Sequence, residues 1–293
     1  WLADARYVAA CVDAGGMGFI TARTFPDPEA FRAELRTCRA LTGGRPFGVN
    51  LYATPRPADN VMLDGHARIL IEEGVRIVET AGLPPKELLP VLREAGVVVI
   101  HKTASVRHAV SAERLGVDAV AVVGAECGGH PGLGLIGTMV QTPLAARALK
   151  IPVSIGGGIG HGSQIAAALA MGADAVTIGT RMTVAEEIWA DRAYKQRLLA
   201  TDETGSRLVM ASFRNTYRVL DNSDARAVAE LEEQGVTDFE SYRAIAAGIR
   251  QKQAYATGDV ERGLLSMGQS VAFADRIEPV AAIFDRLLAE AAR

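Results

Sequence analysis

The sequence predicts an α/β fold of the (β/α)8 barrel type, because helices and buried strands alternate along most of the chain. Five segments repeat one pattern, in which an amphipathic helix ends at a glycine and a short β-branched strand follows. These segments are residues 9–20, 67–80, 91–101, 112–123 and 166–178. Their strands are rich in Val, Ile and Ala, which is typical of parallel strands covered on both faces. A doubly wound parallel sheet is the alternative architecture.

Seven strands are predicted in chain order, five from the repeated pattern and two from further short apolar runs. They are residues 17–20, 47–51, 75–79, 97–100, 117–123, 152–155 and 173–178. An eight-stranded barrel needs one more strand, which we expect upstream of Trp1. A first residue other than Met fits a natural start further upstream.

The repeats stop near Arg181, and residues 183–262 are charged and helical with little strand signal. We therefore predict a barrel of residues 1–182 and 263–293, with a helical insertion of residues 183–262 after the last strand. The insertion either covers the mouth of a site or only supports packing or a dimer. Residues 277–292 carry apolar side chains at helical spacing and predict the last outer helix.

The composition restricts the partners of the chain. Its 293 residues carry a net charge of −3 and contain no block of Lys and Arg, so nucleic acid is an unexpected partner. A span of membrane length is absent from the sequence. The three cysteines, Cys11, Cys38 and Cys127, are scattered along the sequence without a paired spacing. They indicate a reducing cytoplasm rather than a disulfide framework. We therefore expect a small-molecule substrate. The composition does not decide whether the chain forms a homodimer.

The most informative motif is GAECGGHPG, residues 124–132, which follows a predicted buried strand. It places His130 among glycines, which allow a flat ligand to approach the main chain. Histidine is the side chain whose ordinary pKa lies closest to neutrality, so it suits proton transfer. The alternative is a turn with a solvated or packed histidine.

A second glycine cluster follows the next predicted strand, in the sequence SIGGGIG at residues 154–160. Gly179 and Thr180 follow the last predicted strand. In barrels of this type the loops after strands seven and eight form a common phosphate site. The spacing fits neither the dinucleotide fingerprint nor a Walker loop, and tight packing turns are the alternative.

Together these motifs resemble the nitronate monooxygenase family, formerly called 2-nitropropane dioxygenases. Its members are FMN-dependent TIM barrels, and the resemblance runs from about Ala3 to the end of the chain. It is strongest in residues 124–132, and in residues 152–160 continuing through 172–181. The resemblance therefore implies FMN as the cofactor and an oxidoreductase as the class of protein.

The resemblance also implies roles for individual residues. His130 would be the active-site imidazole that faces the flavin ring, and Gly128 would lie against that ring. Asn50 and Lys102 would contact the isoalloxazine and ribityl region. Lys102 would stabilise the anionic reduced ring, unless it is a strand-end lysine paired with Glu79 or Glu126. The FMN phosphate would be held by Gly156, Gly157, Gly158, Gly179 and Thr180.

The implied reaction is the oxidation of an alkyl nitronate with O₂ to a carbonyl compound and nitrite. The flanks of the Gly-Gly-His motif resemble more closely a subgroup of NAD(P)H:quinone reductases, so that activity, or a related flavin-dependent enoyl reductase, is the alternative. A flavin-binding barrel without catalysis is a third. Cys127 and His130 lack the third group of a nucleophilic triad and are too few for zinc, so we predict no metal.

Overall fold

The computed structural model describes residues 1–55 and 57–293, and its centre is one parallel sheet of seven strands. Each strand pairs with its neighbours in chain order, and the sheet curls into part of a barrel. All seven predicted strands are confirmed, with bounds shifted by a few residues. They are β1 Phe19–Thr21, β2 Gly48–Ala53, β3 Ile77–Gly82, β4 Val98–Thr103, β5 Ala119–Val123, β6 Val153–Gly156 and β7 Ala175–Thr177.

Helices alternate with these strands, as the sequence predicts. They are α1 Ala5–Asp13, α2 Pro28–Leu41, α3 Leu63–Glu72, α4 Leu88–Glu94, α5 Val106–Leu115, α6 Thr138–Ala148 and α7 Gly162–Ala170. Within the described part of the chain, every helix is too short or too polar to cross a membrane.

The predicted glycines between helix and strand have the backbone conformation that ends a helix. Gly74, Gly96, Gly116 and Gly172 all have positive φ, as does Gly15. Gly116 shows the reason, because its left-handed conformation turns its N–H back onto the carbonyls of Ala112 and Glu113 as α5 ends. A residue with a Cβ adopts this conformation at a cost, so glycine is favoured here.

Alternate residues of each strand lie in two different environments. Val49 and Leu51 of β2 are buried in the core between the sheet and the helices, together with Val99 of β4 and Val120 of β5. Because side chains alternate along a strand, Asn50 points to the opposite side, into the barrel interior. The outer face of the sheet therefore stabilises the fold, and the inner face is left for the site.

The predicted fold class, a (β/α)8 barrel, is confirmed. The final helix, α12 Val280–Ala291, packs against α1 and α7, in agreement with the predicted last outer helix. Among the described residues the place between β7 and β1 holds no strand. The strand that is expected upstream of Trp1 would lie at this place.

The structure of residues 183–262 differs from the prediction in one respect. Four helices are there, α8 Arg192–Leu199, α9 Ser223–Glu233, α10 Glu240–Ala246 and α11 Gly248–Thr257, but so is an antiparallel hairpin, β8 Ser206–Val209 and β9 Tyr217–Leu220. Its strands have four residues each, and the connection between them lacks the short glycine turn that marks a hairpin in a sequence. The division of the chain into barrel and insertion stays a prediction.

We predict that Leu35→Ala lowers the free energy of unfolding by about 2–5 kcal/mol, because truncation of a buried leucine leaves a cavity. Leu35 is fully buried in α2, whereas Leu41 at the end of the same helix is 51% exposed. Leu41→Ala is therefore the matched control, with an expected change within about 0.5 kcal/mol. Urea unfolding followed by circular dichroism measures both, and equal losses would contradict the packing described here.

Candidate active site

Three polar side chains of the neighbouring strands β2, β3 and β4 meet inside the barrel. The buried Glu79 carboxylate accepts a hydrogen bond from the Asn50 amide nitrogen at 2.6 Å and lies 2.7 Å from the Lys102 ammonium. Asn50 and Glu79 are register neighbours in the sheet. The structure therefore brings together two of the predicted site residues, and it adds Glu79 as their common partner.

Lys102 has the partner that the alternative interpretation offers, since it pairs with Glu79. Glu126, the other candidate partner, instead accepts hydrogen bonds from the backbone N–H and the hydroxyl of Thr138 at the start of α6, at 2.9–3.1 Å. Lys102 remains about one third exposed. Its ammonium can therefore still contact a ligand in the barrel mouth, with much of its charge balanced by Glu79.

The glycine loop after β6 has two consecutive residues in the left-handed region of the backbone. Gly157 and Gly158 have φ values of +97° and +72°, and among the described residues their N–H groups donate to no protein acceptor. A Cβ at Gly157 would lie 2.8 Å from the nitrogen of Gly124. Gly156 pairs with Thr177 across the sheet, so the loops after β6 and β7 are neighbours. Free amides on such a loop suit a phosphate.

The second half of the predicted phosphate site follows β7. A Cβ at Gly179 would meet no atom of the described residues within 4 Å, so the space beside it is open. The buried Thr180 hydroxyl accepts a hydrogen bond from the N–H of Gly268 at 2.9 Å. Its own hydrogen is then free to donate to a ligand.

Gly128 lies close to the main chain of a distant loop, at Gly268. A Cβ there would lie 2.7 Å from the nitrogen of Gly268, and a Cβ at Gly268 would lie 2.6 Å from the nitrogen of Gly128. The two main chains therefore touch, and glycine is needed on both sides of the contact. The contact with residues 267–268 was missed because a sequence pattern carries no signal for two loops far apart in the chain.

His130 lies at the tip of the loop after β5 and stacks on Tyr217. The ring centroids are 4.6 Å apart with an interplanar angle of 6°. Next to the stack, Gly129 and Arg218 exchange two backbone hydrogen bonds of 3.0 and 2.7 Å. The His130 residue remains exposed at the mouth, but the protein around its ring removes water and lowers its pKa. A histidine with a lowered pKa is neutral at pH 7.

The remaining candidates have no catalytic geometry. Burial raises the pKa of the Cys127 thiol to about 11, so this group is protonated at neutral pH and is a poor nucleophile. His161 caps the N-terminus of α7, where its ring accepts from Ser163. In the described part of the chain, no group of three or more His, Cys, Asp or Glu could hold a metal ion.

The fold and the site define a parallel barrel with a histidine, a lysine and two glycine loops at the same end. The nitronate monooxygenase family model matches residues 1–290. The chain therefore belongs to the nitronate monooxygenase family, which is a family of flavoprotein oxidoreductases.

Individual relatives carry several different names. The structure of FabK from Thermotoga maritima is 32% identical, with a TM-score of 0.91 over 100% of this chain and 90% of that one. The structure of nitroalkane oxidase from Streptomyces ansochromogenes is 27% identical, with a TM-score of 0.83 over 99% and 93% of the two chains.

A curated relative from Rhodococcus jostii is 38% identical over 71% of this chain. It is a (3aS,4S,5R,7aS)-5-hydroxy-7a-methyl-1-oxo-octahydro-1H-indene-4-carboxyl-CoA dehydrogenase. The match covers 58% of the length of that relative, so its activity does not transfer directly to this chain. Two of these names, an oxidase and a dehydrogenase, denote redox enzymes with different substrates.

We predict that His130 titrates below about pH 6.5, the ordinary value for histidine, because its ring is desolvated. A lowered pKa means that the ring stays neutral as the pH falls through 6.5 and gains its proton only at more acidic pH. NMR titration of the histidine ring signals measures the midpoint, with His130→Gln identifying the signal. A midpoint at or above pH 6.5 would contradict the described surroundings of the ring.

Proposed function

We propose that the protein is an FMN-dependent oxidoreductase that oxidises alkyl nitronates with O₂ to a carbonyl compound and nitrite. The observation that carries this proposal is the convergence of His130, Lys102 and both glycine loops at the carboxyl ends of one parallel sheet. Ligand sites in barrels lie at that end. Two nitronate anions and one O₂ balance two carbonyl molecules and two nitrite ions.

The residues present fit FMN. Gly157 and Gly158 offer amides without a protein acceptor, Gly179 leaves open space, and the Thr180 hydroxyl has a free hydrogen, so these residues would hold the phosphate. Asn50 and Lys102 would lie beside the ring system. When bound, FMN would supply the redox chemistry by accepting electrons from the substrate and passing them to O₂.

His130 would act on the substrate as a neutral imidazole. With a nitronate, its N–H would donate a hydrogen bond to a nitro oxygen. With a neutral nitroalkane, its unprotonated nitrogen would take the α-proton instead, and a lowered pKa keeps that nitrogen available at neutral pH. Lys102 would contribute positive charge toward the anion, moderated by Glu79 at 2.7 Å.

A second candidate function is supported by the relatives. Under this alternative, NAD(P)H is oxidised and a quinone or an α,β-unsaturated acyl thioester is reduced in the same pocket. The relative at 38% identity carries the name of a CoA-thioester dehydrogenase, and the likeness to FabK extends over the whole chain. The third alternative is a flavin-binding barrel without catalysis, which has no need of His130.

We predict that Gly157→Ala weakens FMN binding by about tenfold or more, because strain of about 1–3 kcal/mol accompanies a side chain at positive φ. The added methyl would also lie 2.9 Å from the Thr138 hydroxyl. The loop would therefore shift, and its amide N–H groups would no longer point toward the phosphate. Gly43→Ala is the matched control, with φ +62° and open space around it. Fluorescence titration of the apoprotein measures both affinities, and equal values would contradict the phosphate site.

The reaction is tested by mixing the flavin-loaded protein anaerobically with an alkyl nitronate, NADH or NADPH, and following flavin absorbance. We expect bleaching by the nitronate alone, and a loss of about 10²-fold or more in rate for His130→Ala with normal flavin content. Rapid bleaching by a nicotinamide alone would move the assignment to the reductase. Flavin binding without turnover of a nitronate or a nicotinamide would favour the non-catalytic barrel, and failure to bind flavin would contradict all three.

A further inference from the structure

The β8–β9 hairpin of residues 183–262 packs against the loop after β5, which carries His130. Gly129 and Arg218 donate to each other's carbonyls, so the loop and β9 pair like two antiparallel strands. The Arg218 guanidinium also donates to the carbonyl of Ala125 at 3.1 Å and to the hydroxyl of Ser206 at 2.9 Å. The hairpin is therefore attached to the loop on both sides of Cys127.

Tyr217 uses its two ends for different contacts. Its ring stacks on His130, almost parallel to the imidazole. Its hydroxyl lies 2.6 Å from the Ser266 hydroxyl and 3.2 Å from the Leu264 carbonyl, and it accepts from the Gln251 amide at 3.2 Å. The hydroxyl is fully engaged within the protein and is unsuited to reacting with a substrate. The ring is the part that faces the site.

We propose that Tyr217 is a positioning residue for His130, fixing the plane of the imidazole so that one face is covered and its nitrogens point along the mouth of the barrel. The inference rests on the proposed function of His130. Two glycines precede His130, and a glycine segment alone fixes a side chain poorly. A misplacement of about 1 Å at a reacting group can cost about 10²-fold in rate. The stack supplies the constraint that the glycines lack.

Residues 183–262 thereby contribute to catalysis. The barrel supplies His130, and the hairpin supplies the surface that orients it. Tyr217 reaches that position because its hydroxyl is held by Gln251 of α11 and by Ser266 beyond it. Loss of the hairpin contact should therefore impair turnover while the phosphate loops after β6 and β7 keep their flavin.

Three variants test the inference. Tyr217→Leu removes the flat surface, so we expect kcat to fall by about tenfold or more, with KM within about threefold of normal and flavin content unchanged. Tyr217→Phe keeps the ring and should retain kcat within about threefold. Leu220→Ala is the matched control, because Leu220 is fully buried in the same strand and its side chain lies on the face opposite to Tyr217. It should lower Tm without lowering kcat at 25 °C.

NMR of the flavin-free protein supplies a readout that does not depend on turnover. A stacked tyrosine shields the imidazole protons, so the His130 signals should keep their positions in Tyr217→Phe and move in Tyr217→Leu. Unmoved signals in Tyr217→Leu, an unaltered kcat in that variant, or equal losses in the Leu and Phe variants would each overturn the inference. If the unaltered protein turns over no nitronate and no nicotinamide, the proposed function fails, and the imidazole signals alone decide about the stack.

Discussion

The parallel register of the seven strands is the constraint on which the site depends. Because all strands run in one direction, the loops that follow them open at one end of the barrel. The two-residue period then decides which side chains enter the interior. Val49 and Leu51 face the helices while Asn50 faces inward, and a shift of one residue in β2 would exchange them. Burial of the outer face therefore fixes the positions of the polar residues on the inner face.

A buried carboxylate is the most costly group that this register places inside the barrel. Glu79 is 6% exposed and is tolerated because Asn50 and Lys102 both bind the same oxygen. Because the ammonium and the carboxylate leave little net charge, an anionic phosphate would be attracted mainly by the backbone amides of the glycine loops. Removal of Lys102 alone would leave Glu79 charged, buried and short of a partner, and would destabilise the barrel as well as the site.

Much of the fold was predictable from the sequence, because the signals for it are local. Runs of Val and Ile mark β4 and β5, and a glycine such as Gly116 marks the end of a helix within the same short segment. The β8–β9 hairpin was not predicted, because its strands are short and the connection between them lacks a glycine turn. Contacts between distant loops, such as Gly128 with Gly268 and His130 with Tyr217, leave no pattern in the sequence. The sequence therefore indicated candidate residues and one of their contacts, Lys102 with Glu79, whereas the contacts between distant loops came only from the structure.

The loop after β5 illustrates how separate parts of the chain make one rigid site. Its first part is held at α6, where Glu126 accepts from Thr138, and the carbonyl of Glu126 accepts from the N–H of Gln269 at 3.0 Å. Its tip is held by the hairpin through Gly129 and Tyr217. Glycines allow these close contacts but provide no stiffness of their own, so the neighbours must provide it. The orientation of His130 is thus a property of three segments far apart in sequence, and a barrel without residues 183–262 would keep the imidazole but lose its fixed plane.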